Sequence, residues 1–190
     1  MGNREDLLAG ARKVILERGL AKVTARDIAG AAGVSLAAIG YHFGSKDRLI
    51  AEAVTEGVGA QIGDGMDEAI RDAGEGRTLF ESIEPTWDAM LNVAFECRDQ
   101  LMLSLENAVN VSRTPESQAY LASAADSVYP ELATLLREVH PGLTAAEARA
   151  VGKVYFALFQ GVALLSLMAP SGEMLRGEDV ELAVQALRGK

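Results

Sequence analysis

An all-α fold follows from three features of this sequence. Aromatic residues make up only 5% of the chain, while alanine and leucine recur throughout, a composition that favours helices over strands. No run rich in Val, Ile and Tyr alternates apolar and polar residues with the period of two that a half-buried strand requires. Apolar residues instead recur every three to four positions, and Gly or Pro separates the resulting segments. About nine helices are expected.

The first helix spans about residues 4–18, with Leu7, Leu8, Ala11, Val14 and Ile15 on one stripe and charge opposite. Gly19 ends it. Thr24 is a natural N-cap, and Asp27 three residues later completes an approximate capping box for a second helix that runs to about Ala31. Ala32-Gly33-Val34 reads as a tight turn in which Gly33 supplies the positive φ. Ser35 is expected to cap a short third helix through about Tyr41, Gly44 breaks the chain, and Ser45 caps a fourth with Asp47 in its first turn. Gly57, Gly59, Gly63, Gly65, Gly74 and Gly76 then predict that this fourth helix frays into a flexible connection. Longer helices follow at about 78–97, 99–111, 116–139 and 144–169, with a last one near 178–188. Pro85, Pro115 and Pro130 mark starts or kinks, and His140-Pro141-Gly142 is a break.

Composition bounds the rest. At 49% hydrophobic and 24% charged over 190 residues, the chain can bury a real core as a soluble globular protein. The polar, charged stretch from Met1 to Asp6 predicts no secretory leader. The most apolar stretch, Tyr155 to Ala169, is short for a membrane span and holds Gln160 and Ser166. A single cysteine, Cys97, excludes an internal disulfide and fits a reducing, cytoplasmic setting. Net charge is −9, which taken alone disfavours a polyanionic partner. The distribution says otherwise. Residues 1–50 hold eight basic side chains (Arg4, Arg12, Lys13, Arg18, Lys22, Arg26, Lys46, Arg48) against five acids (Glu5, Asp6, Glu17, Asp27, Asp47), a surplus of three positive charges, so the remainder carries −12. A basic head on an acidic body is the asymmetry expected when one end meets DNA.

The informative unit runs from Thr24 to Leu49. It reads as two short helices over a three-residue turn, with Ala29 small enough for close approach and Ile28, Val34 and Ile39 pointing inward. Leu8, Ala11 and Ile15 of the first helix supply a third apolar face. This is a helix-turn-helix.

The stretch resembles the DNA-binding module of the TetR family, in which a three-helix unit precedes a motif of aromatic–His–Phe, Gly, Ser, Lys and an apolar residue. Here the motif reads Tyr41-His42-Phe43-Gly44-Ser45-Lys46, then Leu49. The resemblance is close over about residues 4–55 and architectural beyond. It implies that Ser35 opens the recognition helix and that Leu36, Ala37 and Gly40 face the major groove. It also implies that Thr24, Tyr41 and Lys46 meet phosphates, Thr24 and Lys46 from helix N-termini, and that His42 and Phe43 hold the module together at its DNA-facing end. The sequence departs from the family at Gly40, where Tyr is common, and at Leu36 and Ala37, one of which is often polar. Base readout then leans on thymine methyls, on Arg26 and on DNA shape.

The resemblance implies residues 1–50 as the DNA-binding domain and 51–190 as a ligand-sensing and dimerisation domain built as a larger helical bundle. The segment Val154–Met168 is apolar nearly all round, so it must be covered on two sides. A homodimer interface is expected through Val151, Val154, Leu158, Val162 and Leu165. Ligand contacts are expected from Phe80, Glu84, Trp87, Asp88, Met90, Met102, Glu106, Asn107, Asn110, Phe156 and Phe159, with Glu106 and Asn107 interrupting an apolar run. The expected activity is that of a repressor released from a palindromic operator in double-stranded DNA by a small-molecule effector; the alternative is a constitutive dimeric DNA-binding protein. No cofactor, no metal and no enzymatic activity are expected, because the sequence holds no nucleophile–base pair, phosphate loop or metal-ligand spacing around its two histidines, His42 and His140.

Overall fold

A computed structural model describes residues 3–188. Met1 and Gly2, at the start of the charged N-terminus, and Gly189 and Lys190 lie outside the described residues. Nine α-helices make up the described chain: α1 (Asn3–Arg18), α2 (Ala25–Ala32), α3 (Ala37–Phe43), α4 (Lys46–Gly74), α5 (Leu79–Glu96), α6 (Arg98–Val111), α7 (Pro115–Val139), α8 (Ala145–Met168) and α9 (Gly177–Arg188). A single 3₁₀ turn at Leu20–Lys22 follows α1.

Helix starts obey the capping logic. The Thr24 hydroxyl accepts the Asp27 amide at 3.2 Å while the Asp27 carboxylate accepts the Thr24 amide at 3.3 Å. The same reciprocal box opens α5 at Thr78 and Glu81 and α8 at Thr144 and Glu147. Ser45 caps α4 by accepting the Arg48 amide at 3.1 Å. Ser35 does not cap α3 as expected. Leu36 occupies that position with helical dihedrals and no side-chain cap, and the Ser35 carbonyl accepts the Ala38 amide at 3.0 Å.

The fourth helix corrects a second expectation. It continues unbroken through Gly57, Gly59, Gly63 and Gly65 to Gly74. Three of its glycines are points of close approach rather than breaks: a Cβ would sit 3.0 Å from Cδ of Arg12 at Gly57, 3.1 Å from Val93 at Gly65 and 2.2 Å from Val139 at Gly74. Burial of neighbours there offsets the roughly 1 kcal/mol that each helical glycine costs.

Packing divides the chain into two compact units, Met1–Ala60 with Met102–Ala124, and Gln61–Leu101 with Ala125–Lys190. The expected boundary near residue 50 falls inside α4. In the first unit, Leu7, Leu8, Ala11, Val14, Ile15, Ile28, Ile39, Leu49 and Val54 form the buried set. In the second, Trp87, Met90, Leu91, Leu136, Tyr155, Phe159 and Val162 centre a continuous core. The start of α9 is seated on α5 there: Trp87 Nε1 donates to the Leu175 carbonyl at 2.7 Å, and the Gly177 amide donates to Asp88 at 2.9 Å. Helix α8 as a whole, Ala145–Met168, is long and apolar enough to cross a membrane by length and composition alone, a longer stretch than residues 155–169 suggested. Its face made of Gly152, Tyr155, Phe159, Val162 and Ser166 is buried in the core instead.

Candidate nucleic-acid interface

The head is built on α1. Gly10 brings α1 against α2 so closely that a Cβ there would meet the Cβ and amide of Ala32 at 3.0 Å. Gly33, in the left-handed region at φ 67°, then turns the chain, and its amide and that of Val34 close the end of α2. Ile39 and Phe43 of α3 are buried at 4% and 8% exposure. The opposite face of the same helix, with its approach, is open: Ser35, Leu36, Ala37, Gly40 and Tyr41 are all exposed, Tyr41 at 86%. Asn3, Ser35, Ala37, Ala38, Tyr41 and His42 line a shallow, open hollow of about 450 Å³ on this surface. His42 is half-buried, its ring edge-on to Tyr41 at 4.9 Å between centroids. Among the described residues, no group of three or more His, Cys, Asp or Glu side chains is arranged to hold a metal ion.

Charge in the head is largely spent internally. Arg18 pairs with Asp27 at 2.8 Å, Arg12 with Glu56 at 3.7 Å, and Arg4 and Arg48 with Glu52. The Thr24 hydroxyl, which donates to Asp27 at 2.6 Å, holds that carboxyl below its ordinary range, assisted by Arg18. Lys46 reaches the Val23 carbonyl at 3.3 Å and Asp47 at 3.7 Å, so two groups expected on phosphates, Thr24 and Lys46, already hold the turn between the helices. Lys13, Lys22 and Arg26 are exposed and have no ion pair among the described residues.

Residues 7–53 match the model of a family described as bacterial regulatory proteins, tetR family. The match covers the helix-turn-helix head and not the rest of the chain. Solved structures share the fold over nearly all of the chain. A protein described as a transcriptional regulator from Rhodococcus sp. RHA1 is 19% identical, with a TM-score of 0.61 over 97% of this chain and 94% of that one. A TetR-family regulator from Mesorhizobium loti MAFF303099 is 16% identical, with a TM-score of 0.62 over 97% and 94%. The multidrug binding protein EbrR, complexed with proflavin, is 20% identical, with a TM-score of 0.60 over 98% and 99%. No curated protein matches the chain.

The residues expected at a ligand divide between the units. Met102, Glu106, Asn107 and Asn110 lie in the unit that carries the head, where only Asn107 is buried and Glu106 and Asn110 are exposed. Phe80, Glu84, Trp87, Asp88, Met90, Phe156 and Phe159 lie in the other. There Trp87 and Asp88 hold the start of α9, Met90 and Phe159 belong to the core, Phe80 and Phe156 are half-buried, and Glu84 is exposed. Two buried polar groups of that core escaped sequence reasoning: Thr86 and the Tyr155 hydroxyl, whose pKa burial pushes up to about 12. Of the residues expected at a dimer interface, Val154 and Leu165 are exposed at 54% and 53%, Val151 and Leu158 are half-buried, and Val162 is packed in the core at 4%. Val162 follows Phe159 by three positions and so shares its inward face.

Proposed function

We propose that this chain is a homodimeric repressor that reads a palindromic operator and is released by a small organic effector. The observation that carries the DNA reading is the two-sided α3, apolar and buried at Ile39 and Phe43, open at Ala37, Gly40 and Tyr41 and at Ser35 and Leu36 just before it. Leu36 and Ala37 offer only apolar contact, which suits thymine methyls, and the flat surface at Gly40 admits the base edges closely. Arg26, exposed and without an ion pair among the described residues, supplies the hydrogen bonds that α3 lacks. Tyr41 meets a phosphate.

Dimerisation is supported by an uncovered stripe on α8. Ala150, Val154, Ala157, Gly161, Leu164 and Met168 are all exposed and recur at three- and four-residue spacing, the repeat that packs one helix along another. This stripe replaces the set that included Val162. A dimer places two copies of α3 in successive major grooves, roughly 34–36 Å apart. An effector held in the second unit, near Trp87, Phe156 and the Tyr155 hydroxyl, releases the operator by favouring a different spacing of the heads. That EbrR is a multidrug binding protein of the same fold supports an organic effector.

Duplexes recovered by the chain from a random-sequence pool test the reading. They should share a palindrome, and Arg26→Ala should weaken binding about tenfold while relaxing preference at one base pair, as loss of a single base contact does. An unaltered base preference in that variant overturns the assignment of Arg26. Leu164→Glu should yield a monomer by sedimentation that no longer retains the palindrome.

A further inference from the structure

Glu52 keeps only 3% of its side chain exposed, and a buried carboxylate must be paired. Its partners come from two helices. Arg4 of α1 pairs with Oε1. Arg48, in the first turn of α4, sends Nε and Nη2 to Oε2 at 3.2 and 3.1 Å. Each arginine has a second attachment. The Arg4 guanidinium lies 5.5 Å from the centre of the Phe43 ring, at the end of α3. The Arg48 guanidinium lies 4.1 Å from the centre of the Tyr120 ring, and its Nη1 donates to the Glu116 carbonyl at 3.2 Å. Arg48 thus engages a carboxylate, a carbonyl and an aromatic face at once. Only the planar, five-donor guanidinium can do this; an ammonium cannot.

We propose that Arg48 is a positioning residue for the recognition helix, and that it imposes the placement of the first turns of α7 on α3 through Glu52, Arg4 and Phe43. The proposal rests on the reading of α3 as the DNA-reading helix. Every link lies within the unit that carries the head. The carboxylate at the centre cannot be left unpaired, so a displacement of residues 116–120 moves both arginines or breaks a buried ion pair. The end of α3 therefore follows α7 as a coupled element, and the packing of Tyr120 tunes the placement of a DNA-reading surface that it does not touch.

Hydrogen–deuterium exchange of the full chain tests this without an operator. Tyr120→Leu removes the ring but keeps bulk, Arg48→Lys keeps the charge, and Tyr120→Phe keeps the aromatic face. The first two should raise exchange at residues 37–43 roughly fivefold, the effect of losing one cation–π contact, and Tyr120→Phe should leave it unchanged. Acceleration confined to residues 115–124, acceleration spread evenly over residues 3–188, or a Tyr120→Phe variant that behaves like Tyr120→Leu each overturns the joint. Duplexes recovered by the unmodified chain should bind Tyr120→Leu more weakly with the same base preference. Recovery of no duplex at all counts against the DNA reading, while the exchange data still decide the joint.

Discussion

The two units treat charge differently. In the unit with the head, ionised groups are taken inside and paired, Glu52 between Arg4 and Arg48 and the half-buried Asp27 with Arg18, beside the buried neutral side chains of Asn107 and Ser117. In the other the buried polar side chains are neutral: Ser82 against His140 at 3.4 Å, Ser166 on the Ala163 carbonyl, and Thr86 and Tyr155 in the core. An ion pair of that second unit, Arg71 with Glu138, leaves both side chains 54% exposed. On the proposed function, directed charge fixes the geometry of the surface offered to DNA, whereas apolar packing leaves the second unit's interior adaptable to the proposed effector. The difference teaches which perturbation each unit should feel.

The largest expected effect is in the apolar unit. Leu136 is fully buried, and Leu136→Ala should cost about 3 kcal/mol in transfer and cavity terms. Trp87 is the only tryptophan and lies in the same core, so its emission in urea reports the loss directly. Exchange protection at residues 37–43 should not change, and a parallel fall there would break the contrast between the units. Next comes Glu52→Gln in the unit with the head. We expect about 2 kcal/mol, below the ~3–5 kcal/mol of a fully buried pair because Arg4 and Arg48 keep access to water. The loss should survive high salt, which screens buried pairs little. A shift of the Trp87 transition in this variant would show that the two units share one charge-dependent stability.

What the sequence reveals of these two regions differs for the same physical reasons. The head was legible because its signals are local. The Thr24–Asp27 box, Gly33 and Gly44 act within a few residues of themselves, and all three hold. The continuity of α4 was not legible, because whether a helical glycine is a break or a close approach depends on distant partners such as Arg12, Val93 and Val139. The register of α8 was hidden for another reason. A helix apolar on every side has no amphipathic stripe to say which face is inward, and Val162 went to the wrong one. Glu52 left one readable sign, a carboxylate inside the apolar run from Leu49 to Val54, but Tyr120 and Glu116 are 68 and 64 residues further along and gave none.

A smaller effect, and one confined to acid, sharpens the neutral side of the contrast. His140 is 7% exposed, and desolvation holds its pKa below the ordinary value of 6.5 against a hydrogen bond with the Arg77 backbone. The folded imidazole therefore resists a proton that the unfolded one accepts. Stability is unaffected above the ordinary imidazole range and falls as pH drops below it. The Trp87 transition should move to lower urea between about pH 7 and pH 5, the range where an unperturbed imidazole titrates. His140→Gln should flatten that slope, and a slope that persists assigns the proton to another group.

The smallest expected effect compares one capping box from each unit. Thr144→Ala removes the hydroxyl that the Glu147 amide and carboxylate both use and should cost about 1 kcal/mol. In the head, Asp27 is held a second time by Arg18 at 2.8 Å, so Thr24→Ala leaves the carboxylate in place at the start of α2, where it still complements the helix dipole. Thr24→Ala should therefore cost less than Thr144→Ala, and Arg18→Met should remove that advantage. The hydrogen bonds from Thr24 and Thr144 lower the pKa of Asp27 and Glu147, so each box contributes above the ordinary carboxylate range and fades as pH falls through the depressed value. Equal costs for the two threonines, measured by urea titration near pH 7, would mean that the head gains nothing at this cap from its charge pairing, and the contrast between the units would then rest on Glu52 alone.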